Sequence, residues 1–176
     1  MQINPGTYVG SGLYYKYLGI AKVVDSAKTS MTMTDLSLDE DCAYMIYLKV
    51  HEATGNAISL SCYFNNDQTA TNYDSQRLNV VGTSVSGSRD DTAVFAACSA
   101  NNYIEVWMYV FRNFEGKAVV HSYSGNTEPN LGMKLAYVKW QTDATVTRMD
   151  IVSSVANSLD VGSCFRLYKI SPKVLT

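Results

Sequence analysis

The feature that most constrains this chain is a period of two. In YIEVWMYVF, residues 103–111, Ile104, Val106, Met108 and Val110 make an aliphatic face, while Tyr103, Glu105, Trp107, Tyr109 and Phe111 make an aromatic face broken by one carboxylate. Successive side chains of a strand point to opposite sides, so such a segment can seal one face against a core and leave the other outside. The alternation recurs at 42–50, where Tyr44, Ile46, Leu48 and Val50 oppose Met45, Tyr47 and Lys49, and at 57–64, where Ile58, Leu60, Cys62 and Phe64 face inward. Further strands are predicted at 30–34, 92–98, 118–123, 133–140, 145–153 and 164–170. Turn-rich clusters such as HEATGNA, GTSVSGSRDD, RNFEGK and SGNTEPN separate them, and no segment keeps a helical period for long. Many short strands with this punctuation predict an all-β fold, an antiparallel β-sandwich of jelly-roll type. A length of 176 residues suits one core.

The amino-terminal stretch reads differently. Pro5, Gly6, Gly10, Gly12 and Gly19 are interleaved with Tyr8, Tyr14, Tyr15 and Tyr17. Glycine weakens regular structure while tyrosine gains from burial, so residues 1–24 are expected to form an extended arm that lies on another surface, ahead of a sandwich domain at 25–176. The competing expectation is that 14–23 is simply the first strand of the sandwich. The aromatic side of 103–111 also needs cover, because that much aromatic surface rarely stays in water on a monomer. Tyr103, Trp107, Tyr109 and Phe111 are therefore expected to line a subunit interface, the alternative being that loops or the arm of the same chain lie over them.

Several classes of function are disfavoured. The net charge is −2 with both signs scattered, which gives no footprint for nucleic acid and no polybasic membrane patch. No apolar run is long enough to span a bilayer as a helix, and MQINPGTYVG does not have the build of a signal peptide. Cys42, Cys62, Cys98 and Cys164 show no C-x-x-C spacing and are expected as buried free thiols. His51 and His121 stand apart, so no metal site, cofactor site or nucleophile–histidine pair is expected. The acids of DLSLDEDC and SRDD, including Asp39, Asp90 and Asp91, fall in expected loops and make a weak case for glycoside hydrolysis. In FNNDQTATNYDSQRL, Asn65, Asn66 and Asp67 are consecutive, with no glycine or glutamate to complete a calcium loop. Asx turns closing a strand are the favoured reading there, with a cation or sugar contact as alternatives.

The run CYFNNDQTATNYDSQRLNVVGTSVSGSRDD, followed by TRMDIVSSVANSLDVGSCFRLYKI with its Gly162, Ser163, Phe165, Leu167 and Tyr168, resembles small β-sandwich structural proteins of tailed-bacteriophage virions. The resemblance covers about residues 29–170 and carries no catalytic residue. It implies a non-enzymatic virion component made in the host cytoplasm. Foremost is a capsid decoration or cement subunit, a homotrimer contacting the major capsid protein, with Tyr8, Tyr14, Tyr15 and Tyr17 of the arm on the capsid. The alternative it implies is a receptor- or carbohydrate-binding module of a tail fibre or spike. A small glycan-active enzyme is a third reading.

Overall fold

The computed structural model describes residues 13–38, 42–100, 102–126 and 132–172. Twelve strands are formed within them: β1 (Leu13–Lys22), β2 (Ser30–Met33), β3 (Ala43–His51), β4 (Ile58–Phe64), β5 (Tyr73–Val81), β6 (Ser84–Asp90), β7 (Val94–Cys98), β8 (Tyr103–Arg112), β9 (Ala118–Asn126), β10 (Gly132–Trp140), β11 (Met149–Ser153) and β12 (Cys164–Pro172). They build two antiparallel sheets, one of eight strands in the order β1-β12-β3-β8-β9-β10-β5-β6 and one of four in the order β2-β11-β4-β7. The fold is an antiparallel β-sandwich of jelly-roll type, as the alternation predicts.

The core lies between the sheets and is built from the aliphatic faces. Ile46, Leu48 and Val50 of β3 and Val106, Met108 and Val110 of β8 meet Leu60, Cys62 and Phe64 of β4, Phe95 of β7 and Ile151 of β11, all fully enclosed. Burying each such side chain contributes roughly 1.5–3 kcal/mol, so the period-two pattern fixes which side of each strand turns inward. No disulfide joins the four cysteines, all of which are buried. Burial raises the pKa of the Cys62 thiol, with the neighbouring Asp150 adding to the effect.

The structure departs from the sequence expectation in three places. Residues 73–81 and 84–90, which no predicted strand covers, form β5 and β6, paired from Ser75↔Asp90 to Val81↔Ser84. These strands end the large sheet, where most of their side chains meet solvent, so no apolar alternation marks them. The strand predicted at 145–153 begins only at Met149, because Asn65 captures the backbone ahead of it: its Oδ1 accepts from the amides of Thr147 (2.8 Å) and Arg148 (3.1 Å). Of the expected arm, residues 1–12, with Tyr8, lie outside the described residues. Leu13–Lys22 is a strand of the sandwich, paired with β12 from Leu13↔Pro172 to Lys22↔Cys164, with a register shift between Tyr17 and Gly19. Backbone pairing thus reaches well ahead of the boundary expected at residue 24. Tyr15 and Tyr17 stand exposed on this edge strand.

Candidate functional site

The antiparallel registers align the outward residues of the large sheet into rows that cross the strands. One row runs Tyr17, Tyr168, Met45, Tyr109, His121, Tyr137, Gln76 and Arg89, from β1 to β6. The next runs Ile20, Arg166, Tyr47, Trp107, Tyr123, Leu135, Leu78 and Gly87. Each row holds planar rings beside hydrogen-bonding or aliphatic groups. The rings touch: Tyr47 and Trp107 have centroids 4.8 Å apart, His51 stacks on Tyr103 at 4.2 Å, and His121 lies 5.2 Å from Phe111 and 4.9 Å from Tyr137. Such contacts fix ring orientation and make the face a firm platform.

A groove of about 650 Å³ lies over β9, β10, β5 and β6, lined by Gln76, Leu78, Gly87, Arg89, His121, Tyr123, Leu135 and Tyr137 and by the residues between them in each strand. Arg89 is held by a fork to Asp74, Nε to Oδ1 at 3.2 Å and Nη2 to Oδ2 at 2.9 Å, which fixes the guanidinium plane and raises its pKa. Desolvation lowers the pKa of His121 below the ordinary imidazole value, so at neutral pH the ring is uncharged, with one nitrogen able to accept and the other to donate. The groove therefore offers rings for stacking and neutral or firmly held polar groups for hydrogen bonds.

The four expected interface residues all lie on the outward face of β8, as their alternation requires. Tyr103 and Trp107 are 49% and 45% exposed, while Tyr109 and Phe111 are half-buried against their neighbours. No segment among the described residues closes over Tyr103 and Trp107. Of the arm residues, Tyr17 packs on Tyr168 at 5.4 Å and continues the same outer row.

The Asn/Asp loop is a brace. Asn65 and Asn66 adopt left-handed backbone at φ 52 and 60, which asparagine tolerates. Asp67 Oδ2 accepts from Trp140 Nε1 and from Asn72 Nδ2, both at 2.8 Å, and its carbonyl accepts from the Tyr73 hydroxyl at 2.9 Å. Burial works against ionisation of Asp67, but the bonds from Trp140, Asn72 and Thr69 outweigh it and hold the carboxyl below its usual range. These oxygens are spent on the fold, which is the Asx-turn reading. Among the expected acids, Asp90 pairs with Arg77, and 39–41 lie outside the described residues.

Sequence reasoning missed Gln76, Arg89, His121 and Tyr137 as a group. They come from four strands, two of them covered by no predicted strand, and only the pairing registers unite them. The buried Asp150, gripped by Arg148 and by Thr32 Oγ1 at 2.6 Å, was also missed, since MDIVS reads as a plain strand.

No family model and no curated protein matches the chain. Among solved structures, it is similar to a marine PL-14 alginate lyase from Aplysia kurodai, with 10% identity over 92% of this chain and 82% of that one and a TM-score of 0.37. It is also similar to an alginate lyase mutant in complex with an alginate trisaccharide, with 6% identity over 99% and 97% of the two chains and a TM-score of 0.29. A third is the C-terminal CBM6 of a marine laminarinase from Zobellia galactanivorans, with 11% identity over 90% and 98% and a TM-score of 0.19. The expectation of a non-enzyme is withdrawn on this finding, since two of these three structures are of alginate lyases by name. No activity passes to this chain from likenesses of this size.

Proposed function

We propose that this protein binds a polysaccharide chain in the groove along β10 on the outer face of the eight-stranded sheet. One observation carries the reading: Gln76, Arg89, His121 and Tyr137 share a single row of that groove, with Tyr123, Leu135 and Leu78 in the next. A sugar ring has apolar C–H faces and a rim of hydroxyls. It suits a surface where rings stack on the faces while amide, imidazole and guanidinium groups meet the rim. The resemblance to phage structural proteins supports placing the groove on a virion tail fibre or spike, with a cell-surface glycan as ligand. Calorimetric titration of the full chain against a panel of polysaccharides, alginate and laminarin included, tests this. Saturable binding to a panel member, weakened at least about tenfold by Tyr137→Ala, which is about 1.4 kcal/mol, is the expected result. The absence of binding across the panel counts against it. Chromatographic sizing of the polysaccharide after incubation reads whether the groove also cuts what it holds.

A second reading rests on Tyr103 and Trp107, large rings left about half exposed. They support self-association into a homotrimer, the arrangement a capsid-decorating subunit would use against the major capsid protein. Light scattering that finds a monomer at micromolar concentration removes this reading, and Trp107→Ala combined with Tyr109→Ala is expected to give monomer if it holds.

A further inference from the structure

Beyond the groove, the turn between β8 and β9 carries Phe114, which at 99% exposure is the barest large apolar side chain among the described residues. A bare phenyl on a mobile loop would need no explanation, but this turn is heavily tied. Asn113 Oδ1 accepts from the amides of Glu115 (3.0 Å) and Lys117 (2.9 Å), and Gly116 takes the left-handed backbone (φ 75) that closes the hairpin. Arg112 donates to the carbonyls of Gly116, Leu38 (3.3 Å) and Ala144 (3.0 Å), and Lys117 Nζ reaches the Gln141 carbonyl at 2.6 Å. The backbone that presents the phenyl to water is thus tied on both sides of it.

Beside it lies a second depression of about 280 Å³, lined by Phe114, Asn113, Glu115, Lys139 and Asp74, and by Gln76, Arg89 and Tyr137, which it shares with the main groove. The charges in it are matched: Lys139 Nζ lies 3.5 Å from Glu115, and Arg89 is forked to Asp74. We propose that this depression is an end subsite of the groove, in which Phe114 stacks on an uncharged sugar ring while the two ion pairs meet its hydroxyls. The inference rests on the groove binding a polysaccharide, and it adds which residue reads the end of the chain and what kind of unit fits there. Paired charges leave no net attraction for a carboxylate or sulfate, so the subsite selects for hydroxyls and its contribution is insensitive to salt.

The test uses the ladder of oligosaccharides made by partial acid hydrolysis of a neutral panel polysaccharide that the wild type binds, binding of charged polysaccharides alone counting against the subsite. Each length, from disaccharide to octasaccharide, is titrated into wild type, Phe114→Ala and Phe114→Tyr at low and high salt. Phe114→Ala is expected to lose about tenfold in affinity for long members, equivalent to about 1.4 kcal/mol, and nothing for the shortest that bind. Phe114→Tyr is expected to keep wild-type affinity, and the difference between wild type and Phe114→Ala to stay constant with salt. Equal affinities of wild type and Phe114→Ala at every length, an equal loss at every length, or a difference that collapses in high salt overturns the subsite while leaving the groove standing. If no panel polysaccharide binds the wild type, both readings fall together.

Discussion

The two halves of the outer face differ in a way that explains where function sits on this fold. On β3 and β8, each outward aromatic alternates with a fully enclosed aliphatic residue: Tyr47 with Ile46 and Leu48, Trp107 with Val106 and Met108. On β5 and β6 at the sheet's end, few positions are sealed, and Gln76, Leu78, Gly87 and Arg89 follow no apolar rhythm. Central strands advertise themselves because the core demands it. The two strands at this end, freed from that demand, carry polar groups of the groove, and β9 and β10 join the halves by supplying His121 and Tyr137. Where the core constrains a strand least, its side chains are most at liberty to meet a ligand.

The largest expected effect that would break this comparison is on the inner side of β8. Met108→Ala removes a fully enclosed side chain and should lower stability by about 2–5 kcal/mol. Trp107→Ala, one residue away on the outer side, loses chiefly its contact with Tyr47 and should lower stability by about 0.5–1.5 kcal/mol. Urea denaturation of both variants decides it; equal losses would mean that the two faces of β8 are not divided as described.

Next comes the brace that ties the Asn/Asp loop to the ends of β5 and β10. Asp67→Ala leaves the indole N–H of the buried Trp140 without its acceptor and should cost about 1–3 kcal/mol. The pH dependence has a definite sign. Because the folded carboxyl is held below its usual range, its contribution is complete above the unfolded pKa, near 3.9, and disappears as pH falls through the lower folded value. Acid titrations of wild type and Asp67→Ala should therefore converge at low pH, and parallel curves throughout would show that the carboxylate is not the stabilising group.

A smaller effect sharpens the groove itself. Desolvation lowers the pKa of His121, so as pH falls the unfolded chain takes up this proton first. The folded state thus loses a little stability as pH drops through about 6.5, the unfolded value, and the loss levels off below the folded pKa. The imidazole C–H resonance of His121 should titrate below that value in NMR spectra. Titration above it would point to a carboxylate partner and a charged groove.

The sandwich and its inward faces were legible because burial writes itself as alternation, and Tyr44, Ile46, Leu48 and Val50 could hardly be arranged otherwise. The outward position of Trp107 and Tyr109 followed from the same rhythm. The groove was not legible. Arg89 sits in SGSRDD, which has the composition of a turn, and Tyr73 to Val81 follows an Asx loop whose polar character masks the strand that begins there. The meeting of His121, Tyr137 and Gln76 depends on registers such as Tyr137↔His121 and Tyr137↔Gln76, which are set by the packing of the whole sheet. A lone histidine in KAVVHSY carries no site signal of its own, and its place between Phe111 and Tyr137 became visible only in three dimensions.

The central claim, that the groove along β10 receives a polysaccharide, is tested most directly by mapping backbone amide shifts in NMR spectra while the full chain is titrated with an oligosaccharide from the panel. The account predicts saturable shifts concentrated on β5, β6, β9 and β10, strongest around Gln76, Arg89, His121 and Tyr137, with the four-stranded sheet unmoved. Shifts confined to the four-stranded sheet or to the Asn65–Asp67 loop, or none under saturating ligand, would contradict it.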